Sequence, residues 1–535
     1  MNSEPRVVGL GAHPRLAARP DVTVRKGRFA LVNEHLAPRQ ATIDDLVAIH
    51  DALDAASIEH LLVRRDDDRP VIAVDRDRLD DVTAALLAAF AREPFYSRAG
   101  SDEAVLIADG QLSRSRHPRV LRLYRPRVSA TGRLRYGAST GVRLEFWQFG
   151  ADEIVAPAEN AIMRSNLPRS EAIDATIELH GRTWSTLGGM FDPLASDVTF
   201  DIDLVFSWVD GTSSEFQRAR ALQMETYVVG DGDDSEARFR QIDELKYALR
   251  SVRLFAPWVR RIFIVTDSPR PSWLADHPLV TIVRSEEFFE DPTALPTHNS
   301  HAVESQLHHI DGLSEHFIYS NDDMFFGRPV RPSMFFSPGG ISKFIEATTR
   351  IGLGDPNPTR SGFENAARVN RALLRERFGP LTTRHLEHAA TPLRRSVLAE
   401  LQAEFPADFA RTAASAFRSA TDISVTNSLY HYYALMTGRA VVQEQATVRY
   451  VETTLAKAQG EMERLLRRRD YDFFCLNDGS APEITVERRT RSVRSFLERY
   501  FSIPAPWETP AVLDPVVTPE AESASSLAAR EQPAG

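Results

Sequence analysis

Cysteine is almost absent from this 535-residue chain. Cys475 is the only one, so no internal disulfide and no CxxC metal knuckle can form. A chain of this kind suits a reducing compartment, and the expected location is cytoplasmic. Lysine is nearly as scarce. Lys26, Lys246, Lys343 and Lys457 stand against sixty arginines, which equips the chain for forked contacts to phosphate and carboxylate. No apolar run reaches the ~18 residues needed to span a bilayer, and the first residues, MNSEPRVVGLGAHPRL, lack the apolar stretch of a secretory signal. Loose attachment to a membrane surface stays open. The net charge of -10 offers no basic field for nucleic acid. Also missing are GxxxxGK[ST], a complete GxGxxG and HExxH, so neither a P-loop nor a zincin centre is expected.

What is present reads as more than one domain, since single cores stop growing near ~250–300 residues. Residues 1–40 are rich in Arg and Pro and read as an irregular arm. From 41 to 195, IDDLVAIHDALDAA and DRLDDVTAALLAAFARE carry helical periodicity. HLLVRR, VIAVD and AVLIAD read as strands, and RVLRLYRPRV and GVRLEFWQFG as a β-ribbon. This is a small α/β domain with no catalytic constellation, although it could supply an interface for a homo-oligomer.

A second domain is expected over 196–359 and 441–502. FDIDLVFSWVDG, RIFIVTD, LVTIVRS and HFIYSNDD read as buried strands. Between them, FRQIDELKYALRSVRLF reads as a helix facing inward through Ile242, Leu245, Leu249 and Val252, stopped by Pro257. The fold class that follows is α/β, a Rossmann-like, mostly parallel sheet with helices on both faces. Such sheets bind ligands beyond the carboxyl ends of their strands, and those ends carry Asp210, Asp267 and the pair Asp322/Asp323. Residues 360–440 read as a helical insert over that edge, and 503–535 as a disordered tail.

Asn321-Asp322-Asp323 is the leading constellation. Adjacent carboxylates at a strand's end repel each other unless they are solvated or a cation sits between them and an anionic substrate. Oxygen-only ligands suit Mg²⁺ or Mn²⁺. Asp478, in CLNDGS, is a further ligand or a turn residue. Arg238, Arg240, Arg250 and Arg253 surround the 239–255 helix, and Arg418 lies in AFRSATD, all able to fork onto phosphate. His388, in HLEHAATPLRR, precedes a helix expected to start at Pro392. It is either a general base or an exposed loop histidine. His308 and His309 read as structural, and HNSH (298–301) fits no zinc spacing. GDGDDSE (230–236) resembles a calcium loop but lacks its turn glycine and final glutamate.

Four segments in order carry a resemblance. They are IDLVFSWVDG (202–211), RFRQIDELKYALRSVRLFAPWVRRIFIVTDSPRPSWL (238–274), LPTHNSHAVESQLHHIDGLSEHFIYSNDDMFFGRPV (295–330) and CLNDGS (475–480). Together they resemble the Stealth family of sugar-phosphate transferases, and within it the bacterial exopolysaccharide phosphotransferases. The resemblance implies a GT-A-like catalytic domain that moves a hexose-1-phosphate, such as N-acetylhexosamine-1-phosphate, from a UDP-sugar or related donor to a glycan hydroxyl. It implies Asp322 and Asp323 at the metal with Asp478 completing the site, and Asp210, Asn321, Arg250, Asp267 and Asn365 at the substrate. It further implies His388 as base and Arg418 as phosphate clamp. Relatives often have Asn at the position of Asp210 and Ser at that of Ala248. A metal-dependent glycosyltransferase releasing a nucleoside diphosphate would use the same kind of donor and acidic motif. A catalytically dead glycan-binding module is the alternative from another class.

Overall fold

A computed structural model of the chain describes residues 12–65, 69–131, 133–211, 217–218, 242–479 and 482–509. GDGDDSE, Arg238 and Arg240 lie outside them. In the N-terminal unit the Pro38–Ala55 and Leu79–Phe90 helices face a mixed sheet. Its strand Val142–Phe149 pairs in parallel with Val71–Asp75 and antiparallel with Val120–Tyr124, as a ribbon would. Leu46, Ile49 and Leu53 from one helix meet Val82, Leu86 and Phe90 from the other over Ile72, Val74, Leu144 and Phe146. Two expectations fail here. The stretch read as an irregular arm contains the hairpin Val22–Arg25/Arg28–Val32, closed through Lys26 and Gly27 at positive φ. AVLIAD keeps only Val105–Leu106 as strand before a 3₁₀ turn.

The main sheet runs Val280–Val283, Ile262–Val265, Ile202–Ser207, His316–Asn321, Thr391–Arg394. The first four strands are parallel and the last is an antiparallel edge. Parallel strands covered on both faces need apolar side chains on both, and the sequence supplies them in alternation. Leu204, Phe206, Ile262, Ile264 and Ile318 enter one core with the Glu244–Phe255 helix. Val205, Phe263, Val265, Phe317 and Tyr319 enter the other, under the Arg395–Glu404 and Tyr430–Met436 helices. Ser207 is paired with Asn321, so two strand ends emerge level at one edge.

Beyond that edge lies a second sheet, Met324–Phe326, Phe473–Asn477, Val448–Glu452. Phe325 and Phe474 stack at 5.1 Å on its core side, backed by Phe501. The segment read as a helical insert is not purely helical. It supplies the edge strand Thr391–Arg394 to the main sheet, and Pro392 sits inside that strand instead of starting a helix. Of the tail expected from 503, residues 503–509 are described and pack inward, with Ile503, Ala505 and Trp507 buried. Among the described residues no helix is long and apolar enough to cross a membrane.

Candidate active site

The His316–Asn321 strand delivers Asp322 and Asp323 as a two-residue turn into Met324–Phe326. The turn is pinned by the second sheet, because the Asp323 carbonyl accepts the Leu476 N–H at 3.0 Å. The Asp323 side chain is held at one oxygen only. Oδ2 takes the Cys475 thiol at 3.4 Å, while Oδ1 is enclosed and accepts no hydrogen bond from the described residues. Burial raises the Asp323 pKa, and the opposing charge of His388 pulls it back. His388 is the mirror case, lowered by burial and lifted by Asp323. The two are therefore near enough for each charge to act on the other. His388 stands between the rings of Phe363 at 6.3 Å and Tyr450 at 5.0 Å, and no described residue hydrogen-bonds its imidazole.

A second cluster begins one residue back. The Tyr319 hydroxyl lies 2.9 Å from Asn321 Oδ1 and 3.2 Å from Glu304 Oε1, and can donate its one hydrogen to either. Glu304, only 2 % exposed, also accepts from Thr426 Oγ1 at 2.6 Å. Burial raises its pKa, and Arg418 is among the groups that oppose the rise. Arg418 donates to Ser300 Oγ at 2.7 Å, at the start of the Ser300–Gln306 helix that carries Glu304. Asn299, the N-cap of that helix, reaches Asp422 and the carbonyls of Ser415 and Phe417, fixing the loop that holds Arg418. Sequence reading missed Glu304. Its only signal was an acid on the inward face of a helix, among His301, Ser305 and His308, all buried.

Asn321, Asp322, Asp323 and His388 thus come together, with Arg418 adjoining through Glu304 and Tyr319. Asp210 follows the neighbouring strand, its backbone N–H held by Ser268 Oγ at 2.8 Å. Four other expected site residues carry hydrogen bonds or ion pairs of their own. Arg250 forks onto Glu508 with two 2.6 Å bonds and donates to the Phe501 carbonyl, so it clamps the C-terminal segment. Asn365 spends its amide on Asn357 and the Arg360 carbonyl, stapling a loop. Asp267 accepts both the N–H and the hydroxyl of Ser285, tying two strand ends together. Asp478 lies close enough for its charge to act on Asp323. Its Oδ1 serves as counterion to the buried Arg489 at 2.5 Å and accepts from Thr453. Among the described residues no group of three or more His, Cys, Asp or Glu forms a ready-made metal cage.

The fold is α/β, with paired acids at the carboxyl end of a parallel strand. The chain belongs to the Stealth family, whose conserved regions 1, 2, 3 and 4 match residues 200–225, 238–344, 387–435 and 463–513. It is 59% identical over 497 residues to the exopolysaccharide phosphotransferase CpsY of Mycobacterium leprae, covering 92% of each chain. It is 58% identical to CpsY of Mycobacterium tuberculosis, covering 93% of this chain and 94% of that one. An exopolysaccharide phosphotransferase of Nocardia farcinica is 55% identical over 89% of this chain and 88% of its own. Among solved structures, the galactosyltransferase LgtC matches 57% of this chain and 96% of its own at 11% identity and a TM-score of 0.28, too slight a likeness to carry an argument.

Proposed function

We propose that the protein transfers a hexose-1-phosphate from a nucleotide sugar to a glycan hydroxyl in exopolysaccharide synthesis, releasing a nucleoside monophosphate. The relatives' names support phosphotransfer. The observation that supports the mechanism is the enclosed carboxylate of Asp323, at the end of a parallel strand, with the His388 imidazole close enough for their charges to interact. In the reaction the acceptor oxygen forms a bond to the phosphorus bearing the sugar, and the bond from that phosphorus to the departing monophosphate's oxygen breaks. His388 takes the acceptor's proton. Its lowered pKa keeps the imidazole neutral and ready at physiological pH, a contribution typically worth ~10²–10⁴ in rate. Arg418, a fixed fork, binds oxygens of the transferring phosphoryl group. Asp210 and Asn321 border the donor.

A divalent cation fits the remaining donors. Asp323 Oδ1 is an enclosed carboxylate oxygen that accepts no hydrogen bond from the described residues, and Asp322 adjoins it in sequence. Mg²⁺ or Mn²⁺ is commonly held by one or two carboxylates plus substrate phosphates, which suits this pair. Asp322 and Asp323 would hold the ion, and when bound it would neutralise charge on the donor's diphosphate. Incubation with UDP-N-acetylglucosamine, a glycan and Mg²⁺ tests the reading. UMP and a new phosphodiester are expected, whereas UDP would mean glycosyl transfer.

A further inference from the structure

Tyr450 is the one aromatic among the large hydrophobic side chains left exposed in the described residues, at 40 % of its surface. Its strand, Val448–Glu452, is the free edge of the second sheet. In register, Tyr450 stands opposite Cys475 and Glu452 opposite Asn477. Phe474, one residue from Cys475, points into the core with Phe325. Side chains alternate along a strand, so Cys475 and Tyr450 look the other way, to the side where Cys475 meets Asp323. The Tyr450 ring accordingly lies 5.0 Å from the His388 ring, their planes at 56°. No described residue hydrogen-bonds its hydroxyl.

Glu452, two residues on, shares that face. Its carboxylate takes no ion pair or hydrogen bond from the described residues, and it fills the space beside the 477–479 turn. A Cβ at Gly479 would come 1.7 Å from Glu452 Oε1, so the carboxylate as placed lies directly against the bare Cα of Gly479. An exposed ring and an uncommitted carboxylate on one strand face match the chemistry of a pyranose. The sugar's C–H face packs on an aromatic, and its hydroxyls donate to a carboxylate.

We infer that Tyr450 and Glu452 form the acceptor subsite, where a pyranose ring of the glycan lies on Tyr450, donates hydroxyls to Glu452 and turns its attacking hydroxyl toward His388. The inference rests on the proposed phosphotransfer. The acceptor is favoured over the donor sugar because the ring adjoins the proton-accepting histidine. In the step, the hydroxyl oxygen bonds to phosphorus, its proton passes to His388, and the phosphorus–oxygen bond to the nucleoside monophosphate breaks with its electron pair on the leaving oxygen.

The test uses the full chain, its Tyr450→Ala, Tyr450→Phe and Glu452→Gln variants, and methyl pyranosides of glucose, galactose, mannose and N-acetylglucosamine as probes. Saturation-transfer NMR without donor reads acceptor binding, and calorimetry with UDP-N-acetylglucosamine and Mg²⁺ reads donor affinity. At least one pyranoside is expected to bind the wild type. Y450A and E452Q should weaken it tenfold or more, Y450F should stay within threefold, and donor affinity should hold. Absence of pyranoside binding to the wild type, unchanged binding in Y450A, or equal loss of donor affinity would overturn the subsite. Failure of the wild type to release UMP would instead strike the proposed reaction, leaving the NMR result to decide the subsite by itself.

Discussion

At the scale of single residues, two groups with opposed pKa displacements define the site. Burial raises Asp323 and lowers His388, and each is partly restored by the other. Removing either should therefore be felt first in chemistry. Asp323→Asn is expected to reduce turnover at least ~10³-fold with melting temperature unchanged within a few degrees. Wild-type rates would remove the metal assignment. His388→Ala should cost ~10²–10⁴ in kcat while donor affinity, read by calorimetry, is kept. Lost donor binding would make it a pocket residue instead. Glu304→Gln tests the positioning network, since it keeps shape but replaces the carboxyl on which Arg418 acts. A rise in donor KM with kcat less affected is expected, and no change in either would detach Glu304 from the site. The Asn-Asp-Asp turn was legible because a buried strand leading into paired acids is a local pattern. Glu304 and Tyr450 were not, because what matters about each is its tertiary neighbours.

Elements show where local pattern misleads. Pro392 suggested a helix start. The residue before a proline favours extended backbone, and a proline is tolerated on an edge strand, which is where Pro392 lies opposite Ile318. Arg250 suggested a phosphate fork because it projects from an amphipathic helix near strand ends. Its partner Glu508 is 258 residues away, in a segment that composition alone assigned to a tail. No sequence window holds both. The side chains of this pair are 11% and 5% exposed, so breaking it leaves a nearly buried charge. Arg250→Ala should destabilise the fold by about 3 kcal/mol, read by denaturant unfolding, with donor KM unchanged. A raised KM at unaltered stability would return Arg250 to the substrate.

For the whole molecule, the N-terminal unit is not a detached spacer. Ala37, Ala41, Leu134 and Tyr136 join the core that also holds the Glu244–Phe255 helix. The alternation of apolar residues made both α/β units readable, but nothing in the chain's pattern foretold that contact. Stability should depend on pH through two histidines buried neutral. His431 is wholly enclosed and lowered to about 3, and His308 is lowered to about 4, both chiefly by burial. Below pH 6.5 the unfolded chain takes up these protons and the folded one does not. Stability is therefore expected to fall as pH drops from 6.5 toward 4, by up to about 1.4 kcal/mol per pH unit for each histidine. Chemical denaturation at pH 7 and pH 5 reads this difference, and a flat profile would show both histidines protonated in the fold.

Phosphotransfer and glycosyl transfer differ in the bond broken. The most direct measurement is the nucleotide released when the purified chain meets UDP-N-acetylglucosamine, a glycan acceptor and Mg²⁺ or Mn²⁺. UMP, with the sugar phosphate in a phosphodiester on the glycan, is the predicted result. UDP with a new glycosidic bond would contradict it.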